Sequence, residues 1–253
     1  MLVCRPLEDA GFANGFSTRL GGVSDFPENS LNLAGFNEDT AENIHENRRR
    51  FLKLFGRNYA VATVWQVHAD TIAVVKDDSF ESDSDEKADA VVSDLPGVLA
   101  GAKTADCVPV LLGDPVTKSY AAVHAGWRGT SKRIVSKAIT KLAELYGADP
   151  DDMIAAIGPA AGKCNYEIGS DVVEAFAGFR DSEKYFTPTR EGHALIDLHS
   201  VNFDLLTQAG VSPEKIYAAP FCTMERSDLF FSYRLEKQKF GKTGRLMSVI
   251  GLR

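Results

Sequence analysis

The chain has 253 residues, 44% hydrophobic and 25% charged, so it can bury a substantial core as one domain spanning residues 1–253. Its formal net charge of -7 gives no general attraction to nucleic acid or to an anionic membrane surface, and we expect neither as a partner. The sequence lacks both a secretory signal pattern and a run of roughly 20 apolar residues, so we expect a cytoplasmic protein.

Helices are predicted where capping residues precede apolar residues at helical spacing. They cover residues 39–55, a segment from about 130 to 146, a segment opening at 171, and about 198–208. Asp39 and Glu42 have the spacing of a capping box, and Thr130 and Asp197 are possible caps of the second and fourth helices. Gly147 is placed to end the second helix.

Strand-like apolar runs lie between the predicted helices. They cover residues 61–67, 71–75, 98–102, 108–112, 120–123, 153–157 and 246–250. The run 77–89 carries seven acidic residues and is predicted to be a solvated loop. Because strands and helices alternate irregularly, we expect an α+β fold, a layered sandwich of mixed β-sheets flanked by helices.

Three metal-competent side chains lie where apolar strand sequence gives way to small or polar residues: His68, Cys107 and His124. Imidazole and thiolate together suit zinc, and three protein ligands leave a fourth position for water or substrate, as in catalytic sites. The long spacings match no regular zinc motif. The alternatives are a buried core cysteine and histidines bonded to backbone carbonyls.

Glycines around Trp127 and Arg128 bear on His124. Gly126 and Gly129 predict a tight strand-to-helix turn, with Thr130 as a cap. His124 would then lie beside the positive end of a helix, where an anion could also bind.

Several segments together resemble one known family. They are residues 16–24, 31–33, 65–68, 105–112, 123–130, 157–159, 165–169, 230–234 and 243–245. The run Val-His-Ala-Gly-Trp-Arg-Gly-Thr at 123–130 is highly specific. On these motifs the chain resembles the bacterial family named both multicopper polyphenol oxidase (laccase-like) and peptidoglycan editing factor, and the resemblance covers essentially the whole chain.

The resemblance implies an α+β sandwich and a zinc site whose metal-binding and catalytic residues are His68, Cys107 and His124. It also implies phosphorolysis of adenosine, inosine, guanosine and methylthioadenosine, together with deamination of adenosine. The expected partners are purine nucleosides and phosphate, and the expected state is a monomer. The family also carries an oxidase label and a link to the fidelity of cell-wall precursors.

Phosphorolysis needs a phosphate held beside the ribose C1 and a means to stabilise the departing base. Arg19, Arg48 and Arg128 are the candidates for the anion site, and a surface salt bridge or a packing role is the alternative for each. Arg234 and Arg245 are weaker candidates. Asp106 could contact substrate, relay a proton or orient a ligand, and a buried structural carboxylate is the alternative.

Other activities remain open at the sequence level. A multicopper oxidase needs about ten histidines, whereas this chain has five, so the oxidase alternative is reduced to one copper ion in place of zinc. A second alternative is a hydrolase in which His124 activates Cys107, acting in the editing of peptidoglycan precursors. A third is a partner protein with a structural zinc, which predicts a fourth protein ligand.

Three segments depart from the family pattern. Residues 160–162 read Ala-Ala-Gly where the family often reads Gly-Pro-Cys-Ile-Gly, and 164–166 read Cys-Asn-Tyr where it often has a Cys-Cys-Tyr-Glu run. We therefore assign Cys164 no catalytic role. The segment 224–229 also departs from the family, which leaves the substrate contacts there open. Without a Cys-x-x-Cys pair, we expect the four cysteines to be reduced.

Overall fold

The computed structural model describes residues 1–34, 39–77, 80 and 83–253. Its strands are β1 (Phe12–Phe16), β2 (Leu20–Ser24), β3 (Ala60–Ala62), β4 (Ile72–Val74), β5 (Ala90–Ser93), β6 (Val98–Thr104), β7 (Val108–Gly113), β8 (Tyr120–Ala125), β9 (Ile154–Ile157), β10 (Glu167–Gly169), β11 (Phe186–Pro188), β12 (His193–Ile196), β13 (Ile216–Ala218) and β14 (Leu246–Leu252). Its α-helices are α1 (Arg5–Asp9), α2 (Ala41–Lys53), α3 (Trp127–Ser131), α4 (Ile134–Tyr146), α5 (Ser170–Ala175), α6 (Leu198–Gln208) and α7 (Tyr233–Phe240).

Most of these strands form two large sheets and one small one. Within the described residues, one sheet has the order β13-β9-β7-β8-β5-β4, a second has the order β1-β14-β6-β3, and a small third has the order β10-β12-β11. The first sheet is mixed, since β7 and β8 are antiparallel whereas β4 and β5 are parallel. The predicted α+β class with mixed sheets is confirmed.

The two large sheets pack face to face, and helices cover their outer faces. Alternate residues of β7 explain this arrangement, because successive side chains of a strand point to opposite faces. Val110 and Leu112 belong to the apolar cluster that includes α4 and α6, whereas Leu111 belongs to the cluster between the sheets. Phe51 of α2 packs with Leu99 and Val249 on the outer face of the second sheet. The layer order is therefore helix, sheet, sheet, helix.

Two predicted helices have the expected position, with one change of cap. α6 begins after Asp197, whose carboxylate accepts a hydrogen bond from the Ser200 amide at 3.0 Å, as predicted. α2 begins one residue after Thr40, whose hydroxyl accepts from the Asn43 amide. Asp39 was therefore the wrong cap, because its carboxylate instead accepts from the Thr40 amide and the Asn43 side chain.

The predicted helix from about 130 to 146 is two helices. The chain breaks at Arg133, which has a φ of +61°, and α4 then runs to the predicted stop at Gly147. Thr130 lies inside α3 and its hydroxyl donates to the Ala125 carbonyl, so its predicted role as a cap was wrong. Gly126 occupies the N-cap position of α3 instead.

The predicted strand 61–67 is shorter than expected. β3 ends at Ala62, and beyond it Trp65 forms only an isolated bridge with Lys87. The side chain of Thr63 turns away to donate to the Asp83 carboxylate at 2.6 Å. The segment that follows β3 thus leaves the strand pairing, although the Gln66 side chain still bonds the Lys103 backbone of β6 at 2.7 Å, and it leads to His68.

The acidic run 77–89 is only partly solvated, which corrects the loop prediction, although residues 78, 79, 81 and 82 lie outside the described part. Asp83 forms ion pairs with Arg48 and Lys103. Burial acts to raise the pKa of Asp83, but the two cations and the Thr63 hydroxyl lower it further than burial raises it. Asp89 is buried. In the part of the chain that the structure describes, no helix is long and apolar enough to cross a membrane.

Candidate metal centre

The fold brings the three predicted ligands together from three separate segments. His68 follows the extended segment after β3, Cys107 lies in the turn between β6 and β7, and His124 is the next-to-last residue of β8. Their ligand atoms all lie within 4.8 Å of one another. The Cys107 sulfur is 3.9 Å from Nε2 of His68. The two imidazole rings meet edge to face, with centroids 4.8 Å apart.

These distances fit a metal ion. In a tetrahedral zinc site the bond lengths to sulfur and nitrogen place those two ligands about 3.6 Å apart, so the 3.9 Å separation needs only a small contraction. His124 is buried, Cys107 is half-buried and His68 is exposed. Within the described chain the group has three members, so a four-coordinate ion held by them would keep one position for water or substrate.

A glycine makes room for this cluster. A Cβ atom placed on Gly126 would lie 3.0 Å from the Cys107 sulfur and 3.1 Å from Cδ2 of His68. Such contacts are tighter than ordinary van der Waals packing. The Gly126 backbone itself is extended, with a φ of -68°, so the reason for glycine here is the close approach of the turn to two of the ligands.

Cys107 and His124 polarise each other. Burial acts to raise the pKa of the Cys107 thiol, but His124 and His68 together lower it to about 6. Burial acts to lower the pKa of His124, but the neighbouring Cys107 and Asp89 raise it to about 9. At neutral pH the ligand sulfur is therefore a thiolate, which is the form that binds metal.

Asp89 is a functional neighbour that the sequence did not reveal. One carboxylate oxygen is 2.8 Å from Nδ1 of His124 and accepts from the His68 amide at 2.9 Å. The other oxygen accepts from the amides of Val67 and Ala69 at 3.2 and 2.7 Å. The only sequence signal was the position of this acidic residue directly before a buried apolar strand.

Asp106 occupies a buried site beside Cys107 in a left-handed conformation, with a φ of +84°. Its carboxylate accepts from the hydroxyls of Thr223 and Ser232 and from the Arg234 amide, at 2.7 to 3.0 Å. Burial nevertheless raises its pKa. These contacts support the structural alternative, in which Asp106 fixes the turn that carries Cys107, over direct contact with substrate.

Two predicted phosphate ligands are engaged elsewhere in the fold. Arg19 is buried, forms an ion pair with Glu236 at 2.8 Å, and packs over the ring of Phe231. Arg48 pairs with Asp83 and donates to the Ala34 carbonyl. Both guanidinium groups thus serve internal contacts, and neither remains a candidate for the anion site.

Two other arginines retain an exposed guanidinium close to the ligand segments. Arg128 lies in α3, four residues after His124, and its guanidinium lies over the Trp127 ring at 4.3 Å. Arg234 is anchored through its amide to Asp106, and its side chain lies over Tyr166 and donates to a backbone carbonyl. Among the described residues neither forms an ion pair with a carboxylate. Arg245, the other weaker candidate, lies over Tyr233 and donates to a carbonyl of its own segment.

Comparisons with known proteins agree with the motif pattern. The family described as multi-copper polyphenol oxidoreductase laccase matches residues 13–253. The purine nucleoside phosphorylase YfiH of Shigella flexneri is 34% identical over 245 residues, which cover 96% of this chain and 94% of that protein. A purine nucleoside phosphorylase of Deinococcus radiodurans is 37% identical over 240 residues, covering 94% and 88% of the two chains.

Solved structures show the same fold. A hypothetical protein YfiH of Bacillus licheniformis is 32% identical, with a TM-score of 0.92 and coverage of 100% of this chain and 96% of that one. YlmD of Geobacillus stearothermophilus is 30% identical, with a TM-score of 0.88 and coverage of 96% and 93%. The layered α+β arrangement is therefore shared along the whole chain.

Proposed function

This chain belongs to the multi-copper polyphenol oxidoreductase laccase family, and from that premise we propose that it is a zinc-dependent purine nucleoside phosphorylase that also deaminates adenosine. The observation that carries the proposal is the cluster of His68, Cys107 and His124, which has one exposed side. Relatives named purine nucleoside phosphorylase, 34 to 37% identical over almost the whole chain, support the substrate class.

The three ligands would hold the zinc ion through the Cys107 thiolate and one nitrogen of each histidine. When bound, zinc supplies a Lewis acid that makes a water nucleophile available near neutral pH. Such a nucleophile is what hydrolytic removal of the adenine amino group at C6 requires. The exposure of His68 leaves a path for the base to approach from that side.

Phosphorolysis needs an anion site, and we assign it to Arg128 and Arg234. Both side chains are exposed on segments adjoining the ligands, and both stack on aromatic rings that hold the guanidinium plane in place. Their charges would bind inorganic phosphate and orient it toward the ribose C1. The phosphate then displaces the purine at C1, and the departing base takes up a proton.

Zinc is a better match than a set of copper ions. His45, His193 and His199 lie outside the one metal-competent group found in the described residues, so the chain offers ligands for a single ion. One ion cannot form the several copper centres of a laccase. A copper ion in the same three ligands is the remaining form of the oxidase alternative.

A hydrolase is the second candidate, because the low pKa of Cys107 and the high pKa of His124 are those of an activated thiolate and its acid partner. In such an enzyme His68 would have no role, although it lies 3.9 Å from the sulfur. Metal binding uses all three side chains, and we favour it for that reason.

The deciding experiment incubates the zinc-loaded protein with inosine or adenosine, with and without phosphate. Phosphate-dependent release of hypoxanthine and ribose 1-phosphate is expected from inosine, and phosphate-independent formation of inosine is expected from adenosine. Full activity toward the nucleosides after removal of zinc would contradict the metal dependence. If neither product forms, the nucleoside assignment is wrong.

The anion site has its own test. Arg128→Gln and Arg234→Gln should each raise KM for phosphate by roughly tenfold or more, the loss of about 1.4 kcal/mol expected for a charge-assisted hydrogen bond. Arg180→Gln is the matched control, since Arg180 is exposed and its guanidinium lies 3.7 Å from the carboxylate of its neighbour Asp181. Unchanged KM in both variants would contradict the assignment.

A further inference from the structure

Asp89 connects two of the three ligands through one buried carboxylate. Its side chain is inaccessible to solvent, it precedes β5, and its carbonyl accepts from the His124 amide at 2.8 Å. The same residue accepts hydrogen bonds from Nδ1 of His124 and from the amide of His68. We infer that Asp89 is the positioning residue of the metal centre, and that it sets both the metal affinity and the nitrogen through which His124 binds.

The contact with His124 selects one ring nitrogen. A buried carboxylate only accepts hydrogen bonds, so Nδ1 of His124 must carry a proton and donate it. Nε2 is then the nitrogen left to bind the metal, and it gives up its own proton when it does so. A histidine that donates its other N–H to a carboxylate is held in one tautomer and one ring orientation, and it becomes a more basic ligand. Asp89 thereby prepares His124 for the metal.

The contacts with the loop prepare His68. His68 has a φ of +58°, a conformation that L residues seldom adopt, and its side chain is exposed. Three successive amides, those of Val67, His68 and Ala69, point at the Asp89 carboxylate. Successive amides arranged in this way bind an anion. The carboxylate thus holds the left-handed turn closed, so that the exposed ligand stays in reach of Cys107 without a metal ion.

Asp89→Asn separates these roles, because asparagine has one acceptor oxygen and carries an NH2 group in place of the other. If the oxygen faces the amides of Val67 and Ala69, the NH2 group faces His124 and forces its proton onto Nε2. If the oxygen faces His124, the NH2 group faces the two amides. Either orientation disturbs one ligand, and we expect the zinc affinity to fall roughly 10- to 100-fold.

The matched control is Asp83→Asn. The Asp83 carboxylate belongs to the same acidic run, pairs with Arg48 and Lys103, and contacts none of the three ligands. This variant should lose thermal stability but keep the zinc affinity of the wild type. Affinity is measured by competition with a chromogenic chelator, at a temperature where circular dichroism shows each metal-free protein to be folded. Cobalt(II) spectra then report the ligand geometry directly.

The outcomes are distinct. The inference rests on the proposed metal centre, so a wild-type protein that binds no zinc would contradict that centre first. Wild-type affinity and an unchanged cobalt spectrum in Asp89→Asn would overturn the role of Asp89 alone. Should that variant fail to fold, 15N imidazole spectra of the zinc-loaded wild type decide the matter. A proton on Nδ1 of His124 supports the inference, and metal on Nδ1 overturns it.

Discussion

Gly126 shows how closely the ligand cluster depends on single atoms. One methyl group at this position would press on the Cys107 sulfur and on the His68 ring at 3.0 and 3.1 Å. The backbone conformation itself accepts alanine, because φ is -68°. A substitution here therefore acts on the ligands and leaves the course of the chain unchanged.

We expect Gly126→Ala to fold and to bind zinc roughly tenfold or more weakly, because two ligands are pushed from their positions. Gly178→Ala is the control, since a Cβ there meets nothing within 4 Å. Chelator competition measures both affinities, and thermal unfolding checks that both variants are folded. Equal zinc affinity in the two variants would show that the ion does not lie between Cys107 and His68.

The candidate ligands could be predicted from the sequence, whereas the residues that position them could not. His68, Cys107 and His124 could be selected because imidazole and thiolate are metal-binding groups, because they lie where strand sequence ends, and because the family motifs surround them. Their roles as ligands remain a prediction, although the structure brings them together. Asp89 could not be selected, because a carboxylate in an acidic run has the same composition whether it faces solvent or a ring. The ion pair of Arg19 could not be predicted either, because its partner Glu236 lies far along the chain.

His199 makes the stability depend on pH. Its Nε2 lies 3.1 Å from the Gly158 carbonyl and donates to it as the neutral ring, while burial lowers the pKa of His199. The unfolded chain, with a pKa of about 6.5, therefore binds the proton more readily than the folded one. The contribution of His199 to stability is present above that pH and is lost as the pH falls through the lower, folded value.

The free energy of unfolding should consequently decrease between pH 7.5 and about pH 5.5, and His199→Gln should reduce that decrease. Glutamine keeps an N–H donor for Gly158 but does not titrate. Urea denaturation at several pH values measures the difference. An identical pH slope in the wild type and in His199→Gln would contradict the assignment to this histidine.

The ends of helices were predictable where one side chain acts locally. The start of α6 at Asp197 needed only a carboxylate placed three residues before an amide. The break between α3 and α4 at Arg133 was not predictable, since apolar spacing continues across it and only its φ of +61° interrupts the helix. The start of α7 at Ser232 was not predicted. The Ser232 hydroxyl is held in part by its hydrogen bond to Asp106, a residue distant in sequence.

The caps of α6 and α7 should therefore contribute different amounts to the free energy of unfolding. Asp197→Ala removes a half-buried cap that acts within its own helix, and it should lower the free energy of unfolding by about 1 kcal/mol. Ser232 caps α7 through the Leu235 amide and also donates to the buried Asp106 carboxylate. Ser232→Ala should lower the free energy by about 2–3 kcal/mol, because a buried acceptor also loses a donor. Equal losses in urea denaturation would mean that the bond to Asp106 contributes nothing.

At the scale of the whole molecule, the ligand cluster lies where the chain passes from one large sheet to the other. β6 belongs to one sheet and β7 to the other, and Cys107 lies in the turn between them. His68 lies on the segment after β3, in the same sheet as β6, and His124 is the next-to-last residue of β8, in the same sheet as β7. An ion bound by the three side chains would therefore link both layers. The layers are also joined by their own apolar cluster, which includes Phe12, Leu111 and Ile250.

It follows that the protein should fold without metal and gain stability with it. Zinc that binds only the folded state adds about 2.7 kcal/mol when its free concentration is 100 times Kd, which raises Tm by about 5–10 °C for a chain of this size. Cys107→Ser should abolish this rise, whereas His199→Gln should retain it. Thermal unfolding with zinc and with chelator measures the effect. Loss of the fold on chelation would mean that the metal, and not the apolar cluster, holds the two sheets together.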